Sequence, residues 1–597
     1  MALNIEDYAL ISDSHTAALV GRDGSIDWLC LPRYDSASMF GALLGTEDNG
    51  RWLLAPLDRS ATCTRRYAGD TFILVTEWTT DTGQVEVIDF MPHGNGRSDL
   101  VRRVRGIWGY VEMTQDLRIR FGYSTTIPWV RQLKTEARPA IIAVAGPDAI
   151  VVRGPALRAA DHLHVSQFTV EAGETVDIQM TWFSSHLPTP SAVDVGEAYR
   201  ETAEWWAGWA RSCTGAGEFH DQVVRSMLVL RALTHETTGG IIAAATTSLP
   251  ESFGGSRNWD YRYVWLRDAS LALEVLLSHG YESEAEAWRD WLLRAIAGDP
   301  NDVQIMYGLA GERYLPEREL ESLPGYRGAK PVRVGNAAVS QFQGDAVGQV
   351  MVALHAARGA GVEEEKFSWP LQRALIAHLE RNWHHPDQGI WEVRGPARAF
   401  THSRVMVWAA FDRAVRGITE YGLPGPLERW TELRDEVRRD IEKQGFNTAL
   451  NCYTQYFGST EVDASLLVLP QVGFCDATDP RMLGTVAAIE AQLMQDGLVT
   501  RYRTHPSIDG LPPGEHPFLV CSFWLVEQYA ASGRLDEARA LMNRLVGFVN
   551  DVGLLSEEYD VQGGRQAGNT PQALSHLGLV RAADAIAAGS ASSAERP

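Results

Sequence analysis

Glu392 and Glu557 stand where carboxylates could do chemistry. In Gln388-Gly-Ile-Trp-Glu-Val-Arg-Gly395, Glu392 follows an aromatic residue inside a turn-rich loop. Trp391 would help desolvate it and lift its pKa towards the range of a general acid. A loop glutamate paired with Arg394 accounts for the same letters. In Gly553-Leu-Leu-Ser-Glu-Glu-Tyr-Asp560 three carboxylates crowd together, Glu557 the first of them, and a solvated acidic loop is the competing reading. A pair of such carboxylates is the minimum equipment for acetal hydrolysis: one donates a proton to the leaving oxygen, and the other activates water or stabilises the oxocarbenium ion.

A third stretch, Arg257-Asn-Trp-Asp-Tyr-Arg-Tyr-Val-Trp-Leu-Arg-Asp268, mixes four aromatics with alternating charges. Arg267 and Asp268 together could hold adjacent hydroxyls of a sugar, with Tyr261 or Trp265 packed on the ring. Alternatively, Asp268 favours the start of a helix and the aromatics are core. The loop from Gly311 to Asn336 carries Tyr326, Arg333 and Asn336 among many donors, and either lines the leaving-group side of a pocket or is a salt-bridged surface. His505 and His516 lack a third ligand at metal-binding spacing. H-E-x-x-H, G-x-S-x-G, Walker and dinucleotide motifs are absent. Neither a metal nor an organic cofactor is expected.

Composition narrows the partners. The chain has 597 residues, 45% hydrophobic and 22% charged, with a formal net charge of −22. Such a field repels phosphate backbones and anionic membranes, so no nucleic acid and no membrane is expected. No apolar run nears the roughly 18–20 residues that span a bilayer. The N-terminus has no basic region followed by an apolar one, and the six scattered cysteines read as reduced thiols, which together point to the cytoplasm. Assembly into a homo-oligomer is left open. Nineteen tryptophans suit stacking on sugar rings.

The elements that must position these residues fall in two blocks. Strands dominate the first third: a hairpin over Thr71–Trp78 and Gln84–Phe90, then Ala140–Ala145, Ala149–Arg153 and an alternating Thr175–Phe183. A linking helix is predicted over Ala198–Ser212. From Phe219 the period turns helical, with about twelve segments before Ala587; Val339, Phe342, Ala346, Val350, Ala353, Leu354 and Ala357 mark one face of a long helix, and the last helix is expected to start at Thr570 with Pro571 in its first turn. The fold class is thus multidomain β plus α, an antiparallel β-sandwich followed by an (α/α)6 barrel: 1–193 sandwich, 194–217 helical linker, 218–588 barrel, 589–597 flexible tail.

These segments resemble the glucoamylase-like glycoside hydrolases of family 15, in particular the bacterial trehalase-like branch, over nearly the whole chain. Ile5-Glu-Asp-Tyr-Ala-Leu-Ile11, Asp23-Gly-Ser-Ile-Asp-Trp28 and Tyr34-Asp35-Ser36 look like that branch's N-terminal domain, and Asn258–Asp268, Pro331–Ala338 and Gly553–Asp560 look like the family's site segments. The resemblance implies an exo-acting, inverting α-glucosidase that releases β-glucose from trehalose, isomaltose or malto-oligosaccharides. It implies Glu392 as acid, Glu557 as base, and Arg267 and Asp268 as the clamp on the terminal glucose. Glu557 is preferred to Glu558 on the motif's register, and Glu317 and Glu319 are reserve acids. The competing functions are an inverting disaccharide phosphorylase and a non-catalytic sugar-binding protein.

Overall fold

The structure is a computed structural model that describes residues 2–94, 96–133, 138–215 and 217–594. Between Tyr8 and Ser184 the chain folds into two packed antiparallel sheets. Five strands carry the layout: β1 (Arg51–Pro56), β2 (Gly83–Phe90), β3 (Ser98–Arg118), β4 (Leu163–Glu171) and β5 (Thr175–Ser184). The long β3 belongs to both sheets. Its first half pairs with β2 and β5, and its second half, from Tyr110, pairs with β1 and β4. Gly109 sits at the changeover with φ +61°, and a Cβ there would lie 2.1 Å from the Thr82 carbonyl oxygen, so only glycine lets the strands approach. Alternate residues Trp52, Leu54, Val104, Val111, Met113 and Leu117 face inwards and are buried, as the period-2 patterning requires.

Helix α1 (Val195–Arg211) links the two blocks, starting three residues before the predicted Ala198 because the Asp194 carboxylate accepts the Glu197 N–H. Among the described residues, eleven helices of twelve or more residues follow: α2 (His220–Ala232), α3 (Leu266–Ser278), α4 (Glu282–Ala295), α5 (Asp345–Gly359), α6 (Ser368–Asn382), α7 (Thr401–Tyr421), α8 (Leu427–Asp440), α9 (Pro480–Leu493), α10 (Leu519–Ala531), α11 (Leu535–Val546) and α12 (Ala573–Ala594). An inner ring runs α3, α5, α7, a 3-10 turn at Ala464–Val468, α10 and α12, closing back on α3; α2, α4, α6, α8, α9 and α11 pack outside it. This is the (α/α)6 arrangement with one inner helix reduced to a turn. Helix α10 is buried on every side from Leu519 to Ala530, as an inner helix must be.

Three sequence expectations shift. The apolar stripe beginning at Val339 does not start one long helix: residues 337–340 form a 3-10 turn, Phe342 is exposed, and α5 begins at Asp345. The last helix begins at Ala573 rather than Thr570, since Thr570 N–H bonds the Thr246 hydroxyl and the Gln572 side chain caps Ser575. That helix also continues through residues 589–594, where a tail was expected; residues 595–597 lie outside the described residues.

The sandwich braces the barrel behind the aromatic 257–268 segment. Trp28 donates its indole N–H to the Ala245 carbonyl at 2.9 Å. Arg262, fully buried, pairs with Asp260 at 2.7 Å, and donates to the Ser36 carbonyl at 2.8 Å and the Tyr123 hydroxyl at 2.9 Å. Removing one partner of such a pair strands the other charge in a dry interior. We expect Arg262→Met to lower unfolding free energy by about 3–5 kcal/mol in a denaturant titration. An effect below about 1 kcal/mol would show that the brace is dispensable.

Candidate active site

Loops at one end of the barrel converge on a pocket with two lobes. One, about 400 Å³, is lined by Ala243, Trp265, Arg267, Asp268, Ile390 and Gln572 among others; the second, about 490 Å³, by Glu251, Arg257, Trp259, Asn336, Gln341 and Arg394 among others. Tyr261, Trp391, Glu392 and Arg501 line both lobes, so Glu392 stands at their junction.

Glu392 is held in an uncommon conformation. Its φ is +56°, a left-handed value that costs a non-glycine residue on the order of 1–3 kcal/mol. The turn is pinned by Glu392 N–H to Gly389 O at 3.1 Å, Val393 N–H to Gln388 O at 3.1 Å, and the Gln341 carboxamide donating to Glu392 O at 3.1 Å. The Trp265 indole donates to Glu392 Oε1 at 2.6 Å, and Arg267 Nη1 lies 4.0 Å from the same oxygen while donating to Ile390 O. Burial pushes the Glu392 carboxyl up to about 7, against the pull of Arg267 and Trp265 and with help from Asp268 and Asp345. The carboxyl is therefore substantially protonated at neutral pH, as an acid needs to be.

Glu557 is fully buried behind Tyr261, which lines both lobes. Tyr261 donates its hydroxyl to Oε1 at 2.7 Å, and the Asn569 N–H approaches Oε2 at 3.3 Å. Gly568, with φ +74°, passes so close that a Cβ would sit 2.6 Å from Glu557 Cβ. Burial and then the charge of Glu251 raise this carboxyl, opposed by Arg501 and the Tyr261 hydroxyl. Glu558 turns elsewhere, its Oε2 accepting from His516 N–H at 2.9 Å. Tyr261 thus singles out Glu557 as the carboxylate in contact with the pocket wall.

Arg267 donates Nε–H to Asp268 Oδ1 at 2.6 Å, which fixes both at the start of α3, in the first lobe. Trp391 is anchored by its indole N–H on Asp463, 2.8 Å to Oδ1, and that aspartate also accepts the Ser465 N–H of the 3-10 turn. Asn336 reaches the second lobe, its carboxamide oxygen accepting the Ala338 N–H.

Three expected pocket residues, Glu557, Tyr326 and Arg333, line neither lobe; Glu557 is reached only through Tyr261. Tyr326 is buried between the blocks, donating to Leu3 O at 2.9 Å and accepting from Arg565 at 3.2 Å. Arg333 lies behind Trp259, its guanidinium 4.6 Å from the ring centroid and bonded to the Ser256 and Asn258 carbonyls. The reserve acids also fail. Despite burial, Arg394 holds Glu317 below the usual glutamate range, and Glu319 is an exposed strand residue.

The residues that sequence reasoning missed are Glu251, Arg501, Trp259, Gln341 and Asp463. Arg501 Nη2 bonds Glu251 Oε2 at 2.7 Å and Glu515 Oε2 at 2.6 Å; Trp259 donates to Glu251 Oε1 at 2.9 Å. Arg394 stacks on Trp259 at 4.2 Å, so this indole forms a flat, cation-backed wall of the second lobe. Among the described residues, Glu251, Glu557 and Glu558 bring carboxylate oxygens within 4.8 Å of one another, the spacing a cation would need. Arg501 supplies positive charge to that cluster.

The family model for glycosyl hydrolases family 15 matches residues 217–584, and the trehalase-like N-terminal model matches residues 1–155. A trehalase of Mycobacterium tuberculosis is 36% identical, covering 97% of this chain and 89% of its own. One from Thermoplasma acidophilum is 36% identical, over 95% and 97%. A bacterial glucoamylase solved with acarbose superposes with a TM-score of 0.75 over 98% of this chain and 94% of its own, at 13% identity, a likeness of fold.

The elevated Glu392 pKa has a stability consequence. The folded state binds this proton more tightly than the unfolded chain, so its contribution is full below about 4.5 and is lost as pH rises through about 7. Glu392→Gln, which never ionises, should therefore gain on the wild type between those values, by up to about 3 kcal/mol at pH 8. Urea titrations at pH 4.5 and pH 8 read it out; an equal difference at both pH values would mean that Glu392 has an ordinary pKa.

Proposed function

The chain belongs to glycosyl hydrolase family 15, and from that premise we propose that it hydrolyses small α-glucosides, trehalose foremost, with inversion at the anomeric carbon. The reading rests above all on Glu392, a protonatable carboxyl at the junction of the two lobes. The matched trehalases of Mycobacterium tuberculosis and Thermoplasma acidophilum motivate a substrate made of two glucose units. Division of the chain into a sandwich over 1–193, a linker over 194–217 and a catalytic barrel over 218–588 is part of the same proposal.

One glucose enters the lobe of Arg267 and Asp268, where the guanidinium and carboxylate hold adjacent hydroxyls. The second ring lies in the lobe walled by Trp259. Glu392 gives its proton to the bridging oxygen as the bond to the anomeric carbon breaks, so the leaving sugar departs neutral. Glu557, ionised and oriented by the Tyr261 hydroxyl, takes a proton from a water that attacks the opposite face, and β-glucose results. The carboxylates of Glu251 and Glu558 beside Glu557 disfavour a phosphate nucleophile there, which argues against a phosphorylase.

Glucose release from trehalose, isomaltose, maltose and maltotriose, with NMR of the anomer first formed, tests the proposal. Glu557→Gln should lower the rate by roughly 10²–10⁴. Glu392→Gln should do the same for these sugars yet largely spare α-glucosyl fluoride, whose leaving group needs no proton. Initial release of α-glucose would overturn inversion, and cleavage only with added phosphate would overturn hydrolysis. For the pH profile, kcat/KM should fall on the alkaline side, about tenfold per unit above about 7, as Glu392 loses its proton. A flat profile from pH 6 to 9 would remove Glu392 from the acid role.

A further inference from the structure

Behind the Glu392 turn lies a second cleft, of about 730 Å³, between the N-terminal end of α5 and the C-terminal end of α6. Its chemistry contrasts with the main pocket. None of its lining residues is Asp, Glu, Lys or Arg, in a chain with 22% charged residues. Gln343, Asn382, His378 and His385 supply carboxamide and imidazole groups around an apolar floor that includes Ile305 and Leu379. Burial, with the nearby Arg381, lowers the His378 pKa, so this imidazole is neutral at physiological pH. Phe342 presents a phenyl ring on the wall, 38% exposed although its neighbours Gln343 and Ala346 are buried.

Neutral hydrogen-bonding groups over an apolar floor, beside an aromatic face, match a neutral polyhydroxylated ring and offer nothing to an ion. The cleft also touches the acid. Gln341 lines both it and the main pocket; Gln343 donates to the Gln341 carboxamide oxygen at 3.2 Å, and Gln341 donates onward to Glu392 O at 3.1 Å and Val393 O at 3.3 Å. On the same side the Gly344 N–H donates to Asp387 Oδ2, whose other oxygen accepts the Gly389 N–H of the Glu392 turn.

We infer that this cleft is a second, non-catalytic site for a neutral pyranose, and that its occupant bears through Gln341 on the turn that carries Glu392. The choice of glucose or trehalose as that pyranose rests on the proposed function; the existence of the site does not. Binding is measured without turnover on the Glu557→Gln chain, by calorimetry and by amide NMR with trehalose and with glucose as titrants.

Two sites per chain are expected. Phe342→Ala should weaken one of them roughly tenfold, the worth of a lost aromatic contact, and leave the other unchanged. Asn382→Leu should do likewise, and Arg267→Ala should abolish only the other. Sugar in the cleft should shift the Val393 amide resonance in the parent chain but not in Gln341→Leu. The absence of any site weakened by Phe342→Ala and Asn382→Leu overturns the inference whatever the enzyme hydrolyses. Binding in the cleft with none in the Arg267 lobe would instead sink the proposed function and leave this site standing. A Val393 shift that persists in Gln341→Leu would remove the coupling.

Discussion

A hydroxyl and an indole from one short stretch of chain hold the two carboxyls on which the site depends. Tyr261 reaches Glu557 and Trp265 reaches Glu392, while Arg267 and Asp268, next along the same stretch, form the floor of the first lobe. Carboxyls from distant loops are thereby referred to a single ruler. The ruler is itself immobilised from behind, where Asp260 and Arg262 are dry, paired and tied to the sandwich. A site held on packed elements with locked rotamers keeps its reacting groups in register better than one left to mobile loops.

The same arrangement divides two carboxyls by environment. Glu392 is raised by burial, with one cation at the edge of its reach and an indole on one oxygen. Glu557 is also raised, but among its causes a neighbouring carboxylate follows burial, and Arg501 acts against both. Proton affinity is thus raised at both positions, but by different neighbours. The left-handed backbone at Glu392 belongs to this economy: a residue that is strained and pinned by three surrounding hydrogen bonds points where the relaxed chain would not.

Much of this was legible in the letters. Period-2 alternation located the strands, and the change to a helical period located the barrel, because each pattern follows from what one face must bury. The missing inner helix was not, since Ala464–Val468 is as apolar as a helix segment and is cut short by Pro470. Tyr326 and Arg333 were misplaced for a related reason: a Gly/Pro-rich loop shows which donors it has, but not the side to which they turn. Glu251 and Arg501 each acquire a role only from the other, across 250 residues of chain. No local spacing carries such a pairing.

Among the described residues the sandwich contributes none to either lobe, yet it is not an independent appendage. Because β3 is shared between both sheets, neither sheet can melt without unzipping the spine of its neighbour, and the domain opens as one cooperative unit rather than by fraying. The chain that leaves β3 at Arg118 reaches Tyr123, the hydroxyl that receives Arg262. An opening event deep in an all-β layer is therefore transmitted to the ruler that sets the two carboxyls, and the rigidity of the pocket is borrowed from outside its own walls.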